Sequence, residues 1–147
     1  MGPVVFKNLP SFIRHELEII TNAIQPKMKK FSKYRFFSIP LIIIPAMNLL
    51  MLLIAGEWYV DSLPILSIYA LMAAIGMALY KESKVIQKEI EKISVEHMIK
   101  RINKSELLNE HSKKNYIETI KSQPKISFQA FMEFLNEEHE RKGIFEN

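Results

Sequence analysis

The chain has 147 residues, 48% of them hydrophobic, with 20 Lys+Arg against 16 Asp+Glu and no cysteine. That apolar share excludes a disordered chain, the four glycines exclude collagen-like repeats, and the missing cysteine excludes disulfides, thiolate nucleophiles and cysteine-ligated zinc or iron–sulfur sites. The length suits one compact unit or one small membrane protein, and a mean hydropathy of +0.01 averages over unlike parts.

Ser11 opens the first predicted helix, which runs to about Gln25 with Ile13, Leu17, Ile20 and Ile24 on one face. Pro26 is expected to end or bend it, because proline has no N–H to give to the preceding turn. The apolar face is suited equally to a lipid interface and to packing on the rest of the chain. A basic run of Lys27, Lys29, Lys30, Lys33 and Arg35 follows.

Two uncharged apolar blocks come next, Phe36 to Ala55 and Leu63 to Tyr80. A helix of about 20 residues reaches about 30 Å, the thickness of a bilayer's hydrocarbon core. Buried core helices are the alternative, but so small a globule cannot surround two such blocks with protein. A cleaved signal peptide is disfavoured by the 35 mostly polar residues ahead of the first block and by the second block close behind it. The blocks are therefore expected to cross a membrane.

Their flanks set the orientation. Lys27, Lys29, Lys30, Lys33, Arg35, Lys81, Lys84 and Lys88 stand at one pair of ends, at the level of lipid headgroups, while the connection 56–62 carries two acids and no base. The positive-inside rule places both termini in the cytoplasm. Trp58 and Tyr59 fit an outer interfacial belt, Tyr34 and Tyr80 an inner one. The short connection leaves no room for a re-entrant pore loop or an external ligand domain.

Asp61 or Ser62 is expected to cap the second span, with Pro64 in its first turn. Ser67, Ala70, Ala74 and Ala78 form a stripe of small residues for close helix packing, against the first span or a second copy. Asn48 is the strongly polar side chain of the first span, expected to hydrogen-bond between helices or, in the pore reading, to line a path. Pro45 is expected to kink that span.

Beyond Tyr80 the helix is predicted to continue, since no glycine or proline follows until Pro124. Its apolar stripe changes phase: Ile86, Ile90 and Ile93 share one face, whereas Val95, Met98, Ile99 and Ile102 fall about half a turn round. The helix must bend near Ser94 or meet different neighbours above and below, and a continuous coiled coil is disfavoured. A short helix is predicted from Ser112 to about Lys121 and a last one from Ser127 to near Gly143. The last presents Phe128, Phe131, Met132 and Leu135 on one side and Glu133, Glu137, Glu138 and Glu140 on another. Anionic headgroups repel such an acidic helix, so its aromatic face is expected to dock on the N-terminal helix or on another protein.

Residues 1–35 carry a net charge of +5, residues 36–80 of −2 and residues 81–147 of +1. The basic excess thus sits where topology explains it, and nucleic acid is not an expected partner. His15, His97, His111 and His139 each adjoin a glutamate, but no two histidines lie four apart. The Glu137–Glu140 run points to different sides of a helix. No catalytic residue, cofactor or metal ligand is expected.

In layout, a basic-flanked pair of spans (Phe36–Ala55, Leu63–Tyr80) followed by a Lys-, Ile- and Glu-rich helical tail, the chain resembles small uncharacterised two-span membrane proteins of Bacillus-type bacteria. The resemblance transfers no functional residue. The expectation is an all-α chain: a cytoplasmic helix and basic flank (1–35), an antiparallel transmembrane hairpin (36–80) and a cytoplasmic helical tail (81–147). Its expected role is that of a non-enzymatic interaction or scaffold subunit of the cell membrane, partnered by the bilayer and by a second copy or another protein. The alternative is a small oligomeric transport or pore component with a path near Asn48.

Overall fold

The computed structural model describes residues 9–55, 63–123 and 126–145, whose regular structure is entirely helical. In chain order these are α1 (Ser11–Ala55), α2 (Leu63–Asn103), α3 (Glu110–Ser122) and α4 (Ser127–Phe145). The expected caps Asp61 and Ser62, the aromatic pair Trp58 and Tyr59, the connection 56–62 and Pro124 lie outside the described residues.

The first departure from expectation is α1. It is one continuous helix that runs through Pro26, Pro40 and Pro45, so of the two outcomes expected at Pro26, a stop or a bend, the stop does not occur. Each proline removes one N–H from the ladder, but propagation adds a bond for every residue fixed, and single losses in so long a helix do not halt it. α2 continues past Tyr80 as predicted and closes at Asn103, where the Lys104 N–H is shared between the carbonyls of Lys100 and Arg101. Asn109 then caps α3, its Oδ1 accepting from the Ser112 N–H at 2.7 Å.

The chain divides into two compact units, one of Met1–Gln25 with Ile90–Asn147 and the other of Pro26–Glu89. α1 and α2 each give one segment to both. The phase change along α2 has its cause here. Ile86 is buried in the second unit, whereas Met98 and Ile102 are buried in the core of the first. α2 is uninterrupted at Ser94, and the boundary between the units falls within the first stripe, between Ile86 and Ile90.

The first unit is a helical bundle with its own apolar core. Ile13, Leu17 and Ile20 from α1 meet Met98 and Ile102 from α2, Ile120 from α3, and Phe131, Phe134 and Leu135 from α4. The i, i+4, i+7 spacing that marks Ile13, Leu17 and Ile20 in the sequence puts them on the face the other helices cover. The N-terminal helix therefore packs on the tail, which decides between the two placements left open for it.

In the second unit α1 and α2 touch along a narrow strip of small residues. Ser38, Pro45, Gly76 and Ser83 are buried. A Cβ on Gly76 would lie 3.0 Å from the Leu41 carbonyl carbon and 2.9 Å from Ile42 Cγ1, so only glycine admits the α1 backbone this closely. Lys27 pairs with Glu89, Arg35 lies over the Tyr80 ring, and Leu41 and Ile42 meet Gly76, so the contacts climb α1 as they descend α2.

Candidate functional site

The stripe of Ser67, Ala70, Ala74 and Ala78 stays exposed in this chain. Close packing belongs instead to the face of Gly76 and Ser83, turned about half a revolution from Ala74. The stripe has Gly76 near it in the sequence, but it is Gly76, not the stripe, that meets α1. Asn48 spends an amide hydrogen on its own helix, donating to the Ile44 carbonyl at 2.8 Å. Of the basic flank, Lys27 pairs with Glu89 and Lys30 lies 5.3 Å from the Tyr34 ring centre. Arg35 and Lys84 both lie over Tyr80, while Lys29, Lys33, Lys81 and Lys88 are exposed.

Of the aromatic face proposed for docking on a partner, Phe131 and Leu135 are fully buried in the first unit's core and Met132 packs against it. Phe128 remains at the edge of exposure. Ile13, Leu17 and Ile20 of the chain's own N-terminal helix share that core with it, which is the first of the two placements expected for this face. The physical reason is economy of apolar area: Ile13, Leu17 and Ile20 need cover, and the Phe131–Leu135 face supplies it.

Beside this core the first unit bears an open groove of about 860 Å³. Its floor includes Phe12, Ile20, Phe131 and Leu135, and its walls carry His15, His97, His139, Lys100 and Lys104. Three helices bring the three histidines together, which their spacing in the sequence did not suggest. Phe12 stacks on the His139 ring with centroids 4.2 Å apart and planes 15° from parallel. Among the described residues no group of three or more His, Asp or Glu side chains is arranged to hold a metal ion.

Arg101 is the centre of the groove's polar wall. Its Nη1 and Nη2 donate to the two carboxylate oxygens of Glu138, at 3.1 and 2.6 Å, and its Nε donates to Glu16 at 2.6 Å. One guanidinium thus ties α1, α2 and α4, a task for which its planar fork suits better than an ammonium. Burial favours the neutral acid at Glu138, yet the Arg101 hydrogen bonds, the Ser105 hydroxyl and the nearby cations outweigh it and hold the carboxyl below its ordinary range. On the α3–α4 side the Tyr116 hydroxyl donates to Glu137 at 2.8 Å, and Arg141 grips the same carboxylate at 2.8 Å. Burial first, then the Glu137 carboxylate, push the Tyr116 phenol up to about 12.

Sequence reading missed Arg101. A signal was present: the chain has sixteen lysines and only four arginines, and an arginine kept where lysine is the habit marks a need for fork geometry. With Arg101 held by two carboxylates, the groove offers an external ligand lysine ammoniums, imidazoles and an apolar floor. That is binding chemistry of mixed character.

The chain matches, over residues 5–143, the model of a family of unknown function, DUF5392. It is similar to the "Uncharacterized protein YwnF" of Bacillus subtilis, 40% identical over 139 residues that cover 95% of this chain and 96% of that one. No solved structure matches. A family model spanning nearly the whole bundle and both long apolar helices, together with a relative of the same length, shows that the chain belongs to the DUF5392 family.

Proposed function

We propose that this is an integral membrane protein in which residues 36–55 and 63–80 cross the bilayer as an antiparallel pair, with both termini in the cytoplasm. The first unit is then a cytoplasmic helical layer that serves as a non-enzymatic interaction subunit, with its groove as the binding surface. One observation carries the reading. In the most apolar stretch of α1 only 11% of the residues are buried, and in that of α2 only 6%. Phe36, Met47, Leu50, Met51, Leu53, Ile54, Leu63 and Leu71 are each more than half exposed, and they surround their helices on the sides away from the Gly76 strip.

Water does not tolerate such a surface. Soluble monomers rarely expose an apolar patch larger than about 300–600 Å². Lipid does tolerate it, and in lipid the helix prolines are also at ease because the surrounding protein can satisfy the carbonyls they free. The basic residues at 27–35 and 81–88 set the sidedness.

The absence of native cysteine makes the test clean. Single substitutions Gln129→Cys and Ser11→Cys should react with a membrane-impermeant maleimide only after cells are permeabilised, and Ser62→Cys should react on intact cells. Labelling of Gln129→Cys from outside would reject the topology. For the interaction role, crosslinking in native membranes should recover a second copy or a defined partner through the groove wall, and a chain recovered only as an uncrosslinked monomer would reject it.

A further inference from the structure

We propose that Arg35, Tyr80 and Lys84 form a binding site for the phosphate of an anionic phospholipid headgroup, an inference that rests on the membrane reading above. The Arg35 guanidinium carbon lies 4.7 Å, and the Lys84 ammonium 5.6 Å, from the centre of the Tyr80 ring. Each cation is drawn to the ring's negative face, but the two repel each other. An oxyanion between them turns that repulsion into a pair of charge-assisted hydrogen bonds. The residue types fit the ligand: arginine meets phosphate oxygens with a planar fork, lysine adds a point charge, and the phenol supplies a donor.

Among the described residues no carboxylate pairs with these cations. Residues 19–56 contain no Asp or Glu, and Glu89 is engaged by Lys27. Glu82 stands two residues from both Tyr80 and Lys84, on the far side of α2.

The site has a built base. Ser38 and Ser83 are fully buried, and their hydroxyls donate to the carbonyls of Arg35 at 3.0 Å and Tyr80 at 2.7 Å. Two small buried residues thereby bring α1 and α2 close together, one turn from Arg35 and next to Lys84, which is what lets a residue of each helix reach one ring. One and two positions further into the apolar segment stand Phe36 and Phe37, exposed and packed edge to face at 5.7 Å. An exposed aromatic pair beside a phosphate site favours a ligand that carries acyl chains, so the site is assigned to a lipid rather than to free phosphate. It lies where the positive-inside rule puts the cytoplasmic headgroups.

The test uses full-length protein in mild detergent, equilibrated with equal amounts of phosphatidylglycerol and phosphatidylcholine, with bound lipid counted by native mass spectrometry. Wild type should retain phosphatidylglycerol preferentially. The pair Arg35→Gln with Lys84→Gln should lower that retention about tenfold, and Tyr80→Phe by less, while Lys29→Gln with Lys81→Gln, an equal loss of charge elsewhere in the collar, should leave it within about twofold. Equal losses in both pairs, or no preference in wild type, would overturn the site. Displacement of the lipid by an equal concentration of inorganic phosphate would overturn the lipid assignment. A chain that stays monodisperse with all amphiphile removed, checked before any lipid is added, would instead overturn the membrane reading itself.

Discussion

Arg101→Leu would leave the Glu138 carboxylate, on a side chain only 14% exposed, without its bidentate partner. The expected cost to the first unit is about 2–3 kcal/mol, read by denaturant unfolding followed through helical signal. Arg101→Lys should recover a minor part of it, because one ammonium cannot reproduce the fork. This network and the Tyr116–Glu137–Arg141 group set pH dependences at opposite ends of the scale. Glu138 is held below its ordinary value of 4.5, so its contribution is complete above that pH and fades as pH falls through the lower folded value. Glu138→Gln should therefore flatten the acid limb of the stability profile. Tyr116 is raised from 10 to about 12, so its contribution is complete below pH 10 and is lost as pH climbs towards 12. Tyr116→Phe should remove that alkaline loss, and an unchanged alkaline limb would show that another group is responsible.

At the scale of elements, Gly76→Ala puts a methyl against the Leu41 backbone and must push α1 and α2 apart. We expect a loss of about 1–3 kcal/mol in the unfolding of detergent-solubilised protein, whereas Ala74→Val, on the exposed stripe, should stay within about 0.5 kcal/mol. Asn109→Ala removes the α3 cap and should cost about 1 kcal/mol, with Asn109→Asp close to wild type. These two positions show unequally in the sequence. Asn109 precedes the predicted start at Ser112 by one turn, so the helix was legible and its boundary was short by two residues. Gly76 was visible as a glycine among alanines, but which face meets α1 depends on the rotation of both helices, and small residues on two faces leave that undetermined. Proline misled for a related reason: Pro26 breaks a local hydrogen bond, and local rules do not weigh the long ladder on either side of it.

For the whole molecule, the apolar blocks were legible because an uncharged run of spanning length has few other uses, and the α2 phase change called for either a bend near Ser94 or two sets of neighbours. The groove was not legible. His15, His97 and His139 come from three helices whose mutual placement follows from how Ile13, Leu17, Met98, Ile102 and Phe131 interdigitate, and that is a property of packed side chains rather than of spacing. The account as a whole turns on where the exposed faces of residues 36–55 and 63–80 reside. Alkaline carbonate extraction of cell membranes, followed by sedimentation, tests this most directly, because it strips peripheral proteins and leaves inserted ones. The chain should remain wholly in the membrane pellet. Its release into the supernatant as a folded, monodisperse protein would contradict the account.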